Sequence, residues 1–259
     1  MPPAGKRTDI GGIGVNIMRQ GQGSPLLFLH GANGASVWLP VFEELSKSFD
    51  VIVPEHPGFG QSDDPEWITS IPDIAMFYLN FIEQLDLSDV ALVGTSLGGW
   101  IAAEIAVRNA TRLSSLTLVG PAGVRVKGIP MGDTFMWGPE EGVRNLFANQ
   151  AIADRMLSMK PTDEQLAILL KNRFTATKLA WEPRGYNPHL EKWLHRIKVP
   201  TQIIWGSEDR LIPSQYVKRW KERIPHAAIS LVENCGHLPH IERSDVVVET
   251  IKNLTGKSA

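Results

Sequence analysis

Residues 90–99 read VALVGTSLGG, and no other stretch narrows the fold of this chain as far. The unbroken apolar run Val90-Ala91-Leu92-Val93 suits a strand buried on both faces. It halts at Gly94-Thr95-Ser96-Leu97-Gly98, after which WIAAEIAVR reads as a helix. The result is a strand, an abrupt turn and a helix, with one serine at the apex. A serine hydroxyl is a poor nucleophile until it is lifted clear of the backbone, held near a base and set beside backbone donors. The turn supplies the first of these by placing Ser96 in a strained conformation. Gly94 and Gly98 remove the side chains that would collide across so tight a bend, and Gly99 lets the helix approach its strand.

The flanking chain repeats the same alternation. Gly11-Gly12 between β-compatible segments in residues 8–19 predicts an opening hairpin. Leu26-Leu27-Phe28-Leu29 reads as a buried strand ending at His30-Gly31-Ala32-Asn33-Gly34, a loop able to turn backbone N–H groups toward developing negative charge. Trp38, Phe42 and Leu45 lie at helical spacing, Val51-Ile52-Val53-Pro54 is a strand, and Ile74, Phe77, Phe81, Ile82 and Leu85 form one face of an amphipathic helix. Further strands are expected at residues 116–120, 201–205 and 229–232. Helices are expected at 213–224 and at the end of the chain, where Val247, Val248, Ile251 and Leu254 share a face. Short apolar strands alternating with helices predict a parallel sheet covered on both sides, with ligands at the strands' carboxyl ends.

Between residues 124 and 196 the strand signals lapse over a span too long for a plain loop. Pro139 with Glu140 and Glu141, and Thr162 with Gln165 as a capping box, mark helix starts instead. The second helix carries Leu166, Leu169, Leu170 and Phe174 on one face. We read residues 124–196 as a helical cap inserted into a core formed by 1–123 and 197–259. Phe135, Met136, Trp137, Met156 and Met159 suit either an apolar pocket or the cap's own small core.

Composition sets the outer limits. In 259 residues, 43% are hydrophobic and 21% charged, as in a soluble globular enzyme. A formal net charge of -2 gives no electrostatic footprint for nucleic acid, so a small neutral or apolar substrate is expected. Cys235 is the one cysteine, which removes any intrachain disulfide. It reads as a small buried residue, or as a modifiable thiol beside His237. The N-terminus lacks an apolar signal core and no stretch is long enough to span a bilayer, so no membrane partner is expected and a cytoplasmic location is the default. Homo-oligomerisation stays open.

The elbow around Ser96 resembles the nucleophile elbow of the α/β-hydrolase family, and the resemblance extends over essentially the whole chain. It implies an α/β-hydrolase fold: a mostly parallel twisted sheet flanked by helices, with an inserted helical cap. Pro57-Gly58-Phe59-Gly60-Gln61-Ser62 is similar to the family's P-G-x-G-x-S loop, with Glu55 where Asp is frequent. The His-Gly loop implies that the Ala32 N–H supplies half of an oxyanion hole, with the Leu97 N–H as the other half. On this reading His30 braces its loop. Asp209 resembles the family's triad acid in a G-x-x-D loop, with Glu208 as a solvated neighbour. His237, after Gly236 and past the last strand, resembles the family's base. His240 is the competing histidine, read as structural, and Glu242 completes the G-H-x-P-x-x-E pattern and braces its loop.

The order Ser96, Asp209, His237 implies acyl-enzyme chemistry with no metal or organic cofactor. A carboxylic ester of a small, largely apolar acid is the expected substrate. Trp137, Phe135, Met136, Arg173 and Leu238 are candidate substrate contacts. A second enzyme reading is a carbon–carbon bond hydrolase acting on ring-cleavage products, toward which Gly120-Pro121-Ala122-Gly123 and Arg173 lean and from which Thr95 and Leu238 depart. Enol-lactone hydrolysis stays open. A ligand-binding receptor on the same fold is the reading from outside enzymology, and an intact triad argues against it.

Overall fold

Every strand after the opening hairpin points its carboxyl end at one edge of a single sheet. In the computed structural model, which describes residues 2–257, the strands are β1 (Lys6–Ile10), β2 (Ile13–Gln20), β3 (Pro25–Leu29), β4 (Asp50–Pro54), β5 (Val90–Thr95), β6 (Leu113–Val119), β7 (Thr201–Gly206) and β8 (Ala228–Val232). They assemble in the order β1-β2-β4-β3-β5-β6-β7-β8. β1 and β2 pair antiparallel through the two-residue turn Gly11-Gly12, whose positive φ angles of 60° and 85° favour glycine. β2 is antiparallel to β4, and all later pairs are parallel. The chain leaves β3 to one side for β4 and returns on the other side for β5. The ends of β3 and β5 therefore form the point where strand order reverses, the usual ligand crevice of such sheets.

The helices are α1 (Pro40–Ser46), α2 (Ile71–Gln84), α3 (Leu97–Arg108), α4 (Pro139–Leu146), α5 (Gln150–Ser158), α6 (Asp163–Ala180), α7 (Leu190–Trp193), α8 (Tyr216–Arg223), α9 (Pro239–Glu242) and α10 (Ser244–Leu254). One layer of core lies under α2 and α3, where Ile74, Phe77, Tyr78, Phe81 and Ile101 meet the sheet through Leu27, Leu92 and Trp205. The other lies under α1 and α10, where Phe42, Leu45, Val247 and Ile251 meet Phe28, Val51 and Val93. Strands buried on both faces explain why β5 reads as a continuous apolar run instead of an alternating one. No helix among the described residues is long and apolar enough to cross a membrane.

Helices α4–α7 occupy the connection between β6 and β7. The capping box of Thr162 and Gln165 starts α6 as the sequence predicts. The face that packs inward is made mostly of small and polar residues, not of the shared leucine face. Asn172, Thr175, Ala176, Leu179 and Ala180 are buried, whereas Leu166, Leu169, Leu170 and Phe174 are exposed. Polar anchors decide this orientation: Thr175 Oγ1 donates to the Gly58 carbonyl at 2.7 Å, and Lys171 Nζ donates to the Gly60 and Ser62 carbonyls at 2.9 and 2.7 Å.

Candidate active site

Ser96 stands between β5 and α3 with φ 52° and ψ −115°, a strained backbone for a residue with a side chain. Its neighbours hold it there. The Ser96 N–H donates to the Val119 carbonyl at 2.9 Å, and the Ser96 carbonyl accepts from the N–H groups of Trp100 and Ala122, both at 3.1 Å. A Cβ at Gly94 would meet the Gly98 carbonyl oxygen at 2.2 Å, the collision across the bend expected from sequence. Gly98 and Gly99 answer to more distant neighbours. A Cβ at Gly98 would lie 2.1 Å from the Leu29 oxygen at the end of β3, and one at Gly99 would lie 2.8 Å from the Pro121 Cβ. The elbow is therefore wedged between the ends of β3 and β6.

A carboxylate and a histidine come from the adjacent loops after β7 and β8. His237 Nδ1 donates to Asp209 Oδ2 at 2.7 Å, and both side chains are essentially inaccessible to solvent. Asp209 Oδ1 accepts the N–H groups of Leu211 and Ile212 at 2.9 and 2.8 Å, so the buried carboxylate is fully hydrogen-bonded. Glu208 is exposed. The two loops touch through their backbones. Ser207 N–H bonds the Val232 carbonyl and Glu208 N–H the Cys235 carbonyl, each at 2.9 Å, and a Cβ at Gly206 would fall 1.9 Å from the Gly236 oxygen. With Nδ1 committed to Asp209, the proton-accepting nitrogen of a neutral His237 is Nε2. That atom is buried and makes no hydrogen bond among the described residues. The ring rests on Gly120, where a Cβ would lie 3.5 Å from Cε1 and Nδ1.

Glu242 fixes the histidine loop from outside. Its Oε1 accepts the Gly236 N–H at 2.7 Å and the Ala148 N–H at 3.3 Å, and its Oε2 accepts the Asn149 N–H at 2.8 Å. The His237 N–H itself donates to the Leu146 carbonyl at 2.9 Å. The corner between α4 and α5 is thus bolted to the His237 loop, and Leu238 packs there with Phe147 and Ala153.

The loop after β3 lies on the other side of Ser96, where a Cβ at Gly31 would sit 3.4 Å from the serine Cβ. His30 and His56 brace it. The His56 N–H is an obligate donor to His30 Nε2 at 3.0 Å, which leaves the His30 proton on Nδ1, donating to the Gly31 carbonyl at 2.7 Å. His56 Nε2–H donates to the His30 carbonyl at 2.9 Å, and its Nδ1 accepts from the Tyr78 hydroxyl at 2.5 Å. The two rings stack with centroids 3.6 Å apart. Burial pushes His30 down to about 4 and His56 well below its ordinary range, and lifts the Tyr78 hydroxyl well above its own. His240 is buried against Phe28, with Nδ1 3.5 Å from the Thr95 hydroxyl, and burial together with the neighbouring His237 lowers it to about 3. Burial pushes the Cys235 thiol up to about 12, which makes it inert as a nucleophile.

The expected substrate contacts scatter. Phe135 packs edge-on to Trp181 with centroids 5.4 Å apart and lies under the Arg184 guanidinium, Trp137 packs against Gly132, and Met136 is 75% exposed. Arg173 is exposed, with Nη2 3.5 Å from the Phe135 carbonyl. No hydrogen bond or ring contact among the described residues joins any of these four to Ser96 or His237. Sequence reasoning missed Asn172, whose side chain spans the loops after β3 and β4.

An elbow serine on a mostly parallel sheet, with a histidine–carboxylate pair at the same edge, defines the architecture of the α/β hydrolases. The model of the alpha/beta hydrolase family matches residues 26–250, and the chain belongs to that family. It is 28% identical to a 2-hydroxymuconate semialdehyde hydrolase of Pseudomonas sp. strain CF600, covering 94% of this chain and 90% of that protein. It is 26% identical to a 2-hydroxy-6-oxo-2,4-heptadienoate hydrolase of Pseudomonas putida strain F1, covering 93% and 92%. Among solved structures, a bacterial membrane phospholipase A superposes with a TM-score of 0.83 at 22% identity, over 98% of this chain and 86% of the other. A meta-cleavage product hydrolase from Pseudomonas fluorescens IP01 gives 0.79 at 21%, over 99% of each.

Two outcomes follow from this geometry. Glu242→Ala strands three N–H groups and loosens the His237 loop, so kcat for any substrate should fall about 10-fold or more with a smaller change in KM; an unchanged kcat contradicts the bracing role. His30, His56 and His240 are neutral when folded and titrate near 6.5 when unfolded, so the unfolded chain takes up protons first as pH falls. Stability should be level above pH ~7 and drop between ~6.5 and ~4, by about 1.4 kcal/mol per pH unit for each histidine that remains neutral. Urea midpoints across that range measure it, and a flat profile contradicts it.

Proposed function

We propose that the chain is a serine hydrolase of small, largely apolar carboxylic esters, with Ser96 as nucleophile, His237 as base and Asp209 as the carboxylate that orients it. The observation that carries the proposal is the buried 2.7 Å bond between His237 Nδ1 and Asp209, which leaves Nε2 as the unbonded nitrogen of the ring at the edge of the sheet where Ser96 stands. In this mechanism Nε2 accepts the Ser96 proton as the hydroxyl attacks the ester carbonyl. Asp209 stabilises the imidazolium without taking its proton. The N–H groups of Ala32 and Leu97 receive the oxyanion; Leu97 opens α3, and the first N–H groups of a helix have no partner within it. Loss of one such donor costs about 3 kcal/mol of barrier. His237 then protonates the departing alkoxide, and water releases the acyl group by the same base. Residues 124–196 act as the cap, and no cofactor enters any step.

The 2-hydroxymuconate semialdehyde and 2-hydroxy-6-oxo-2,4-heptadienoate hydrolases favour a second reading, carbon–carbon bond hydrolysis, because they align over nine-tenths or more of their own length. The same three residues would then attack a ketone whose leaving group is a stabilised carbanion instead of an alkoxide. kcat/KM for 4-nitrophenyl acetate, butyrate and octanoate, measured beside 2-hydroxy-6-oxo-2,4-heptadienoate, separates the two. Ester turnover with a chain-length optimum is expected. Ser96→Ala and His237→Ala should each abolish most of it, and the double variant should be hardly worse than either. Dienoate turnover exceeding ester turnover overturns the ester reading, and retained activity in Ser96→Ala overturns the mechanism.

A further inference from the structure

The buried side of α6 bears Asn172, which is 2% exposed. Its amide joins two loops: Nδ2 donates to the Asn33 carbonyl at 2.9 Å, and Oδ1 accepts the Gly60 N–H at 2.8 Å. The Gly60 side is firm ground, because Glu55 Oε2 accepts the Gln61 N–H at 2.8 Å and Lys171 bonds the Gly60 and Ser62 carbonyls. The Asn33 side is a four-residue turn closed by the Gly34 N–H on the Gly31 carbonyl at 3.1 Å. Ala32 occupies the second position of that turn, and Asn33 the third. The stacked histidines root the turn at Gly31, but its far corner is an exposed stretch, Ala32 and Asn33, held from above by Asn172. A Cβ at Gly34, where φ is +86°, would lie 2.4 Å from Asn172 Nδ2, so the amide lies where a side chain at 34 would begin.

We infer that Asn172 is a positioning residue for the oxyanion donor: through its bond to the Asn33 carbonyl, α6 sets the direction of the Ala32 N–H. The inference rests on the Ser96 hydrolase reading. A hydrogen bond at one corner of a turn fixes the tilt of the neighbouring peptide planes, and an oxyanion donor loses its effect when it is no longer aimed at the developing charge. The consequence is that docking of α6 and assembly of the oxyanion hole are one event, so α6 is part of the catalytic geometry as well as a wall of the site.

The test uses the full chain with three substitutions. Asn172→Asp is isosteric and keeps the acceptor for Gly60, but sets an oxygen against the Asn33 carbonyl. Asn172→Ser removes both arms and carries the same comparison if Asn172→Asp does not fold. Lys178→Ala breaks the 2.6 Å bond to Asp64 on the same helix without touching the turn. The readouts are kcat and KM for a 4-nitrophenyl ester, the rate of Ser96 labelling by a fluorophosphonate, and the affinity of a trifluoromethyl ketone that mimics the oxyanion. The two Asn172 variants should lose about 10- to 100-fold in kcat and in labelling rate, with KM moving less than about threefold. Their affinity for the ketone should fall in step with kcat/KM. Lys178→Ala should stay within about twofold of the wild type. Wild-type labelling in Asn172→Asp, a loss confined to KM, or an equal loss in Lys178→Ala overturns the inference while leaving the hydrolase reading intact. A wild-type chain whose Ser96 resists the probe overturns that reading and the inference with it.

Discussion

A carboxylate with no solvent contact survives in a folded protein only when every lone pair that matters has a donor. Asp209 has three: His237 Nδ1, Leu211 N–H and Ile212 N–H. The surrounding architecture delivers those donors. Parallel pairing of β7 with β8 brings the two loops side by side, and glycine at 206 allows the backbone of 235–236 to approach at a distance no side chain permits. The same pair of strands continues as hydrogen bonds from Ser207 and Glu208, so the acid loop and the histidine loop extend the sheet instead of hanging from it. The imidazole ring is thereby oriented by the sheet itself.

The residues inserted between β6 and β7 act on this edge from two sides. The corner at 146–149 holds the His237 loop through Glu242 and the Leu146 carbonyl, and α6 holds the loops after β3 and β4 through Asn172, Thr175 and Lys171. The first grip pairs the backbone of 146–149 with the Glu242 side chain and the His237 N–H, and the second pairs side chains of α6 with backbone groups of the core loops. The second grip explains why α6 turns Leu166, Leu169 and Leu170 outward. Burying them would give up the five hydrogen bonds that Asn172, Thr175 and Lys171 make to carbonyl and N–H groups of the loops after β3 and β4.

Much of this was legible in the sequence, and the legible part has local causes. The β5 elbow announces itself because an all-apolar run, three glycines and one serine act over ten residues, and the hairpin at Gly11-Gly12 because a two-residue turn requires positive φ. The pairing of Asp209 with His237 has no local signal. It was placed by resemblance to the α/β hydrolases, and the distance came only from the fold. The true neighbours of Gly98 and Gly99, on β3 and after β6, lie beyond any reading of the bend alone. Asn172 was invisible for the same reason: an asparagine within a helix carries no sign of what it will meet. That Leu166, Leu169, Leu170 and Phe174 share a face was legible, but not that the face stays exposed, because helical periodicity reports an apolar face and not whether polar anchors outweigh it.

The proposed mechanism requires that Ser96 become acylated. Rapid-quench mass spectrometry of the intact chain, mixed with a 4-nitrophenyl ester in excess, tests it most directly. The expected result is a mass gain equal to one acyl group within the first turnover, mapped by peptide digestion to the segment containing Ser96 and absent in Ser96→Ala. Ester turnover with the chain unmodified at every time point, or an acyl group on another residue, would contradict it.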